Sequence, residues 1–288
     1  MKVIVTRPRL EADAWVKQLR ALHFDAVALP LIHISATVGY DEVVKAWENL
    51  HQYSAVMFVS SNAVSYFYPL NRPLAGVLIA SNAIKNTADL NNIADKSISN
   101  SRSKPRIWAT GPGTRQTLLT HGEPNQSIDS PATDAAQFDT ETLWNIVKNQ
   151  VKSGDKVLIV RGRSVDSSDF LNDFGSQSMN GRPWLADQLT AVGVQVDVVV
   201  SYTRSAPVFD AAELALMAQA AVDKSVWLLS SSEAVANLCT VSDLNWSNAR
   251  AIATHPRIAQ AAKTAGFGVV YESRPMLADV VASIESLL

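Results

Sequence analysis

Two serine clusters, Ser60-Ser61-Asn62 and Ser230-Ser231-Ser232, each follow an apolar run and open a stretch with helical spacing. Serine at that point caps the orphan backbone N–H groups of a first helical turn. The same N–H groups, with the hydroxyls, can hold a carboxylate or a phosphate. Gly111-Pro112-Gly113-Thr114 is a third strand-to-helix turn, where glycine lets a ligand approach the backbone and Thr114 adds a hydroxyl. A fourth, Thr254-His255-Pro256, opens another helix. Arg7 and Arg161 each end a strand, and a cation there meets an anionic ligand lying at the strand ends. Tyr202 follows the apolar run DVVVS, and a phenol so placed can donate a proton or bind a departing hydroxyl. Each feature also has a plain structural reading: a cap, a tight turn, a surface arginine paired with an acid, a packed tyrosine. What favours a ligand is that the serine turn occurs twice, at equivalent points of a repeated series.

Other chemistries lack their residues. No GK[ST] follows the Gly111 turn, and the third glycine of a dinucleotide fingerprint is missing. No GxSxG elbow and no Cys/His arrangement stand out. The histidines, 23, 33, 51, 121 and 255, form no pair at ligand spacing, so no metal site is expected. Asp166, Asp169 and Asp173 read as a solvated acidic loop, with Arg163 and Arg182 bracketing it. The lone cysteine, Cys239, forbids an internal disulfide and reads as a small core residue.

The elements that must position these groups form a hidden duplication. VIVTRP (3–8) is answered by VLIVRG (157–162), FDAVALPLIHI (24–34) by VQVDVVVSYTR (194–204), AVMFVSSNAV (55–64) by VWLLSSSEAV (226–235), and RIWATGPGTRQTL (106–118) by ARAIATHPRIAQAA (249–262). Strands are expected at 3–6, 26–34, 55–59, 106–109, 157–160, 194–201, 226–229, 250–253 and 268–271, with a short one at 77–80. Helices are expected at 11–22, 41–50, 60–67, 114–121, 139–151, 184–192, 210–222, 232–239, 256–265 and 276–287. In the first, Ala14, Trp15, Leu19 and Leu22 share a face. Residues 91–104 read as a surface insertion, 122–133 as a loop, and 163–183 as an insertion over a strand end. Continuous apolar strands alternating with helices imply an α/β chain whose parallel sheets are covered on both faces. Two similar halves place a ligand between them.

The chain has 288 residues, enough for about two domains. A net charge of −2 gives no global basic field, so neither nucleic acid nor an acidic membrane is an expected partner. The start, MKVIVTRPRL, runs straight into a strand and does not resemble a signal peptide. No run approaches the roughly 18 apolar residues of a membrane span, and a cytoplasmic protein is the expectation.

The ordered set VTRP, ALPLI, FVSSNAV, TGPGT, VLIVRG, SYTR, SSSEAV and HPRIAQAAKTAGF resembles uroporphyrinogen-III synthase across nearly the whole chain. The resemblance implies two α/β domains, each a parallel sheet flanked by helices, joined by a two-stranded linker. It divides the chain into 1–36 plus 205–288 and 37–204, with crossing strands near His33–Thr37 and Tyr202–Ala206. It implies a lyase that closes hydroxymethylbilane, a linear tetrapyrrole with eight carboxylates, with loss of water and inversion of ring D through a spiro intermediate. No cofactor is implied, and the protein's main task is to fold the substrate so that the spiro route beats direct closure. By motif, Tyr202 assists hydroxyl departure. Arg7, Ser60, Ser61, Gly111, Thr114, Arg161, Gly162, Ser230, Ser231, Thr254 and His255 bind substrate. Where relatives often carry Gly-Pro-Thr-Thr, this chain has Ala253-Thr254-His255-Pro256, so Thr254 or His255 stands in. A monomer is expected, for lack of an exposed apolar stripe, with room for transient contact with the preceding pathway enzyme. The competing classes are a two-domain protein that closes on an anion without chemistry, and a transferase with two Rossmann-like halves.

Overall fold

A computed structural model describes residues 1–68, 104–135, 137–165, 182–241 and 244–287. The expected strand at 77–80, the insertion at 91–104 save for its last residue, and Asp166, Asp169 and Asp173 lie outside the described residues. The chain divides into two compact units, Met1–Ile34 with Arg204–Leu288, and Ser35–Thr203.

The first unit holds β1 (Lys2–Val5), β2 (Asp25–Ala28), β9 (Val226–Leu229), β10 (Arg250–Ala253) and β11 (Val269–Glu272). They form one sheet in the order β11-β10-β9-β1-β2, with every pair parallel. Side chains alternate across a strand, so one apolar run feeds two cores. Ile4, Trp227, Leu229, Ala251 and Ala253 enter one, and Val3, Val5, Val226, Leu228 and Ile252 the other. The second core is closed by α1 (Arg9–Ala21) through Ala12, Val16 and Leu19, and by α10 (Leu277–Glu285) through Val280 and Ile284. The first receives Met217 and Ala220 from α7 (Ala211–Ala220), Ala234, Val235 and Leu238 from α8 (Ser232–Val241), and Ile258, Ala259 and Ala262 from α9 (Pro256–Thr264). Trp246 lies edge-on to Trp227 at 5.2 Å and stacks on Phe267 at 5.3 Å.

The second unit is built on a sheet in the order β3-β8-β7-β4-β5-β6. Its strands are β3 (His33–Ala36), β4 (Ala55–Phe58), β5 (Arg106–Ala109), β6 (Ile128–Asp129), β7 (Lys156–Ser164) and β8 (Gln195–Ser205). Strand β4 pairs in parallel with β5 and β7. Ala55, Met57, Trp108, Val157 and Ile159 face a core closed by Leu143 and Val147 of α5 (Thr140–Val147) and by Leu185 and Leu189 of α6 (Arg182–Ala191). Phe58, from the opposite parity, meets Phe67 of α3 (Ser61–Phe67) at 5.4 Å, and Phe67 stacks on Trp47 of α2 (Tyr40–Glu48) at 5.0 Å. The Trp47 Nε1–H donates to the Phe67 carbonyl. Helix α4 (Pro112–Thr120) packs beside α3. The chain passes between units within β3 and β8, which are neighbours in the sheet.

Several expectations need correction. Helix α1 buries Ala12, Val16 and Leu19, spaced i, i+4, i+7, while Ala14 is exposed and Leu22, beyond the helix end, is 51% exposed. The sheet-facing stripe is thus rotated from the one expected. The run 26–34 is two strands, because Pro30 has no N–H to give a ladder. Between them Leu29 and Leu31 still donate to the carbonyls of Val5 and Thr6. The loop at 122–133 contains a 3-10 turn, Asn125–Ser127, and the short strand β6. Strand β7 runs on through Ser164, so the insertion over its end starts later than expected. Cys239 is exposed, because Leu238 takes the core position and the next residue turns about 100° away on a 3.6-residue helix.

Candidate active site

In the second unit, apolar β4 ends at Phe58 and the chain turns through Val59 and Ser60 into α3. Ser60 is extended (φ −166°, ψ 165°), and its Oγ accepts from the Ala63 N–H at 3.1 Å, as an N-cap should. The neighbouring strand β5 ends at Ala109. The Thr110 hydroxyl then donates to the Val59 carbonyl at 3.1 Å, tying the two turns together. Gly111 caps α4 with Pro112 in its first turn, where the missing proline N–H costs nothing. A Cβ on Gly113 would lie 3.5 Å from Ser61 Oγ, so the openings of α3 and α4 are adjacent.

Tyr202, on β8 next to β7, reaches the Ser60 turn. It was expected after a strand; it lies inside one, because β8 continues to Ser205. Tyr202 is 3% exposed, and its hydroxyl lies 3.0 Å from Ser60 Oγ. The Tyr66 ring is 6.0 Å away, tilted by 32°. Beneath the phenol is Gly162 of β7: a Cβ there would fall 2.3 Å from Tyr202 Cζ. Ser201, one residue before, is buried and donates to the Ala63 carbonyl at 3.3 Å. The serine turn, the first strand of the second half and the tyrosine strand therefore meet in one unit.

Other expected residues are placed differently from what a simple binding role requires. A side chain at Gly111 would meet Phe138 Cβ at 3.3 Å, so the bare side of that glycine is filled by a phenyl ring rather than open to a ligand. Thr114 is only 5% exposed. Arg161 is half-buried at the start of the last stretch of β7, and its carbonyl lies 3.5 Å from Ser201 Oγ.

The first unit carries a comparable set at the ends of β1, β9 and β10. Arg7 bonds Glu11 at 3.2 Å and lies 4.1 Å from the Trp15 ring centroid. Burial pushes its guanidinium below the ordinary arginine value, and Glu11 opposes that shift. The Thr6 hydroxyl donates to the Leu228 carbonyl at 2.6 Å, holding the β1 turn to β9. Ser231 Oγ accepts from the Ala234 N–H at 3.4 Å at the opening of α8. Ser230 and Thr254 are half-buried, and the Thr254 N–H donates to the Leu229 carbonyl at 3.1 Å. His255 caps α9, its Nδ1 accepting from the Arg257 N–H at 3.1 Å. Neutral His255 so held carries its proton on Nε2. Arg204 Nε donates to Glu233 in the first turn of α8 at 2.8 Å.

Tyr66 and the seat under the Tyr202 ring are the features that sequence reasoning missed. Tyr66 lies six residues after Ser60 on a seven-residue helix. An aromatic near the end of that short helix was the available signal. Among the described residues no cluster of three or more His, Cys, Asp or Glu side chains could hold a metal ion. Among them too, no helix is long and apolar enough to cross a membrane.

A family model described as uroporphyrinogen-III synthase HemD matches residues 13–282. Among solved structures, the chain is similar to the uroporphyrinogen-III synthetase of Helicobacter pylori 26695, at 14% identity over 100% of both chains with a TM-score of 0.56. It is also similar to a mutant uroporphyrinogen III synthase from the extremely thermophilic bacterium Thermus thermophilus, at 13% identity over 100% of this chain and 98% of that one, TM-score 0.50. At such identities the structural likeness is one of fold. No curated protein sequence gives a significant match.

Proposed function

Because the chain belongs to the uroporphyrinogen-III synthase family, the cyclising lyases of haem biosynthesis, we propose that its strand ends bind hydroxymethylbilane and that Tyr202 assists the departure of the terminal hydroxyl. The observation that carries the site assignment is the Tyr202 hydroxyl, held 3.0 Å from Ser60 Oγ just past the carboxyl end of β4, which pairs in parallel with β5 and β7. Ligands in open α/β sheets sit at that edge.

A hydroxyl has one donor hydrogen and two acceptor lone pairs. Ser60 Oγ uses one lone pair on the Ala63 N–H, which leaves its hydrogen available to the Tyr202 oxygen, although either hydroxyl of that pair can donate. Tyr202 can then direct its own hydrogen at a leaving hydroxyl. The C–O bond breaks, water leaves with that proton, and the pyrrole nitrogen lone pair delocalises the resulting cation. Ring attack at the already substituted carbon forms the spiro intermediate, which fragments and recloses with ring D inverted. The last proton lost restores aromaticity and can return to the tyrosine oxygen. Conformational control of the chain outweighs acid strength in such a reaction, and well-placed contacts can supply much of it.

Substrate carboxylates are assigned to Ser60, Ser61, Thr114 and Arg161 in the second unit, whereas Gly111 and Gly162, expected to bind substrate, have their bare sides covered by Phe138 and Tyr202. In the first unit the carboxylates are assigned to Arg7, Ser230, Ser231, Thr254 and His255. The Arg7 guanidinium, pre-placed by Glu11 and Trp15, suits a carboxylate through its fixed fork of donors. The units Met1–Ile34 with Arg204–Leu288 and Ser35–Thr203 are read as the two domains, and the active species as a monomer with no cofactor.

Product analysis tests the reading. Purified protein incubated with hydroxymethylbilane should yield the type III isomer in excess over the type I product of spontaneous closure. A product mixture no different from the protein-free control would overturn it.

A further inference from the structure

We infer that Gly162 is a positioning residue: its bare Cα is the seat of the Tyr202 phenol, and it fixes where the hydroxyl acts. Glycine is a poor strand residue, with no side chain to pack and extra backbone entropy to lose. Two reasons could place it inside β7. A left-handed backbone is one, but the described glycines with positive φ are 122, 154, 193 and 266, and Gly162 is not among them. Close approach is the other, and it is what the geometry shows. A Cβ at 162 would lie 2.3 Å from Tyr202 Cζ, 2.4 Å from Cε2 and 2.7 Å from Cε1. These are the atoms at the hydroxyl-bearing end of the ring, so even one methyl must lift the oxygen itself.

The rest of the seat leaves the ring little room to yield. Tyr202 is 3% exposed, Tyr66 lies alongside it at 6.0 Å, and Ser60 Oγ meets the hydroxyl at 3.0 Å. The same contacts redefine what Gly162 does. The side of its Cα that a ligand would approach is already covered by the phenol, so Gly162 acts through Tyr202 and not by touching carboxylate. This rests on the assignment of hydroxyl departure to Tyr202, and the experiment separates the two.

The test is a double-mutant cycle with Gly162→Ala and Tyr202→Phe, read as kcat and KM for type III product, beside thermal unfolding. Each single variant should lose about a hundredfold in kcat, the lower end of a general-acid effect, with KM little changed from the parent. In the Tyr202→Phe background, Gly162→Ala should cost no further turnover, since the hydroxyl it would misplace is gone. The unfolding temperature should fall with Gly162→Ala whether residue 202 is tyrosine or phenylalanine, because the ring clash is common to both. It should recover in a Tyr202→Leu background, which vacates the seat. Undiminished kcat in Gly162→Ala overturns the positioning role while leaving the Tyr202 assignment standing. Equal kcat losses from Gly162→Ala in both tyrosine and phenylalanine backgrounds overturn it as well. Undiminished kcat in Tyr202→Phe sinks the Tyr202 assignment and this inference with it.

Discussion

Ser60 joins two jobs that substitution can separate. Its Oγ accepts the Ala63 N–H at 3.1 Å and meets the Tyr202 hydroxyl at 3.0 Å. Ser60→Ala removes both. The lost cap is worth about 1 kcal/mol. The hydrogen bond is worth about another 1 kcal/mol, since it leaves a largely enclosed phenol without this partner. A loss near 2 kcal/mol in a unit of this size lowers the unfolding temperature by ~4–8 °C. Turnover should fall as well, because Tyr202 loses the hydroxyl that orients it. Ser60→Asp is the informative companion. Aspartate caps as well as serine, so most of the lost stability returns. It also sets a fixed negative charge beside the proposed carboxylate site, so KM should rise by about tenfold or more, against a small change for Ser60→Ala. Thermal scans on both variants, with initial rates of type III product, provide the comparison. If Ser60→Asp were as stable as the parent and bound substrate equally well, the placing of substrate carboxylates at this turn would be refuted.

Gly268→Ala should destabilise the first unit by about 3 kcal/mol, at the upper end for overpacking, because the new methyl would lie 1.9 Å from the Ser247 carbonyl oxygen. Gly266→Ala has no neighbour within 4 Å but a φ of +94°, so it should cost only about 1–2 kcal/mol; denaturant midpoints that rank the pair the other way would refute this. Burial holds His121 below its ordinary value, so its folded pKa lies under the unfolded one of about 6.5. Its contribution to stability is therefore present above pH 6.5 and is lost as pH falls through that value toward the folded pKa. An NMR titration of His121 in the folded protein should show a midpoint below 6.5, and a midpoint above it would reverse the sign.

Much of the fold is legible because buried parallel strands are apolar on both faces. Arg106–Ala109, Val226–Leu229 and Arg250–Ala253 lie at their expected limits. Errors arise where tertiary contacts overrule a local pattern. Leu22 carries the apolar character of a core residue, but the sheet selects Ala12, Val16 and Leu19. Cys239 has a core-like composition and the wrong helical phase. The candidate site is legible as a set of turns and not as a geometry. Ser60 and Gly111 mark helix openings that any reader of caps would find. That Phe138 fills the bare side of Gly111, or that Tyr202 lies on Gly162, depends on contacts between residues 27 and 40 positions apart in the chain.

Strand β1 completes its ladder only with β9, through pairs such as Val3 with Val226. During synthesis its three buried residues, Val3, Ile4 and Val5, emerge more than two hundred residues before that partner. At ordinary elongation rates the gap lasts roughly 10–45 s. Over that time the whole of Ser35–Thr203 can emerge and fold on the ribosome, while β1, α1 and β2 wait with one apolar edge unmatched. Biogenesis thus runs from the inside of the sequence outward, and the segment made ahead of Ser35 is among the last to be secured.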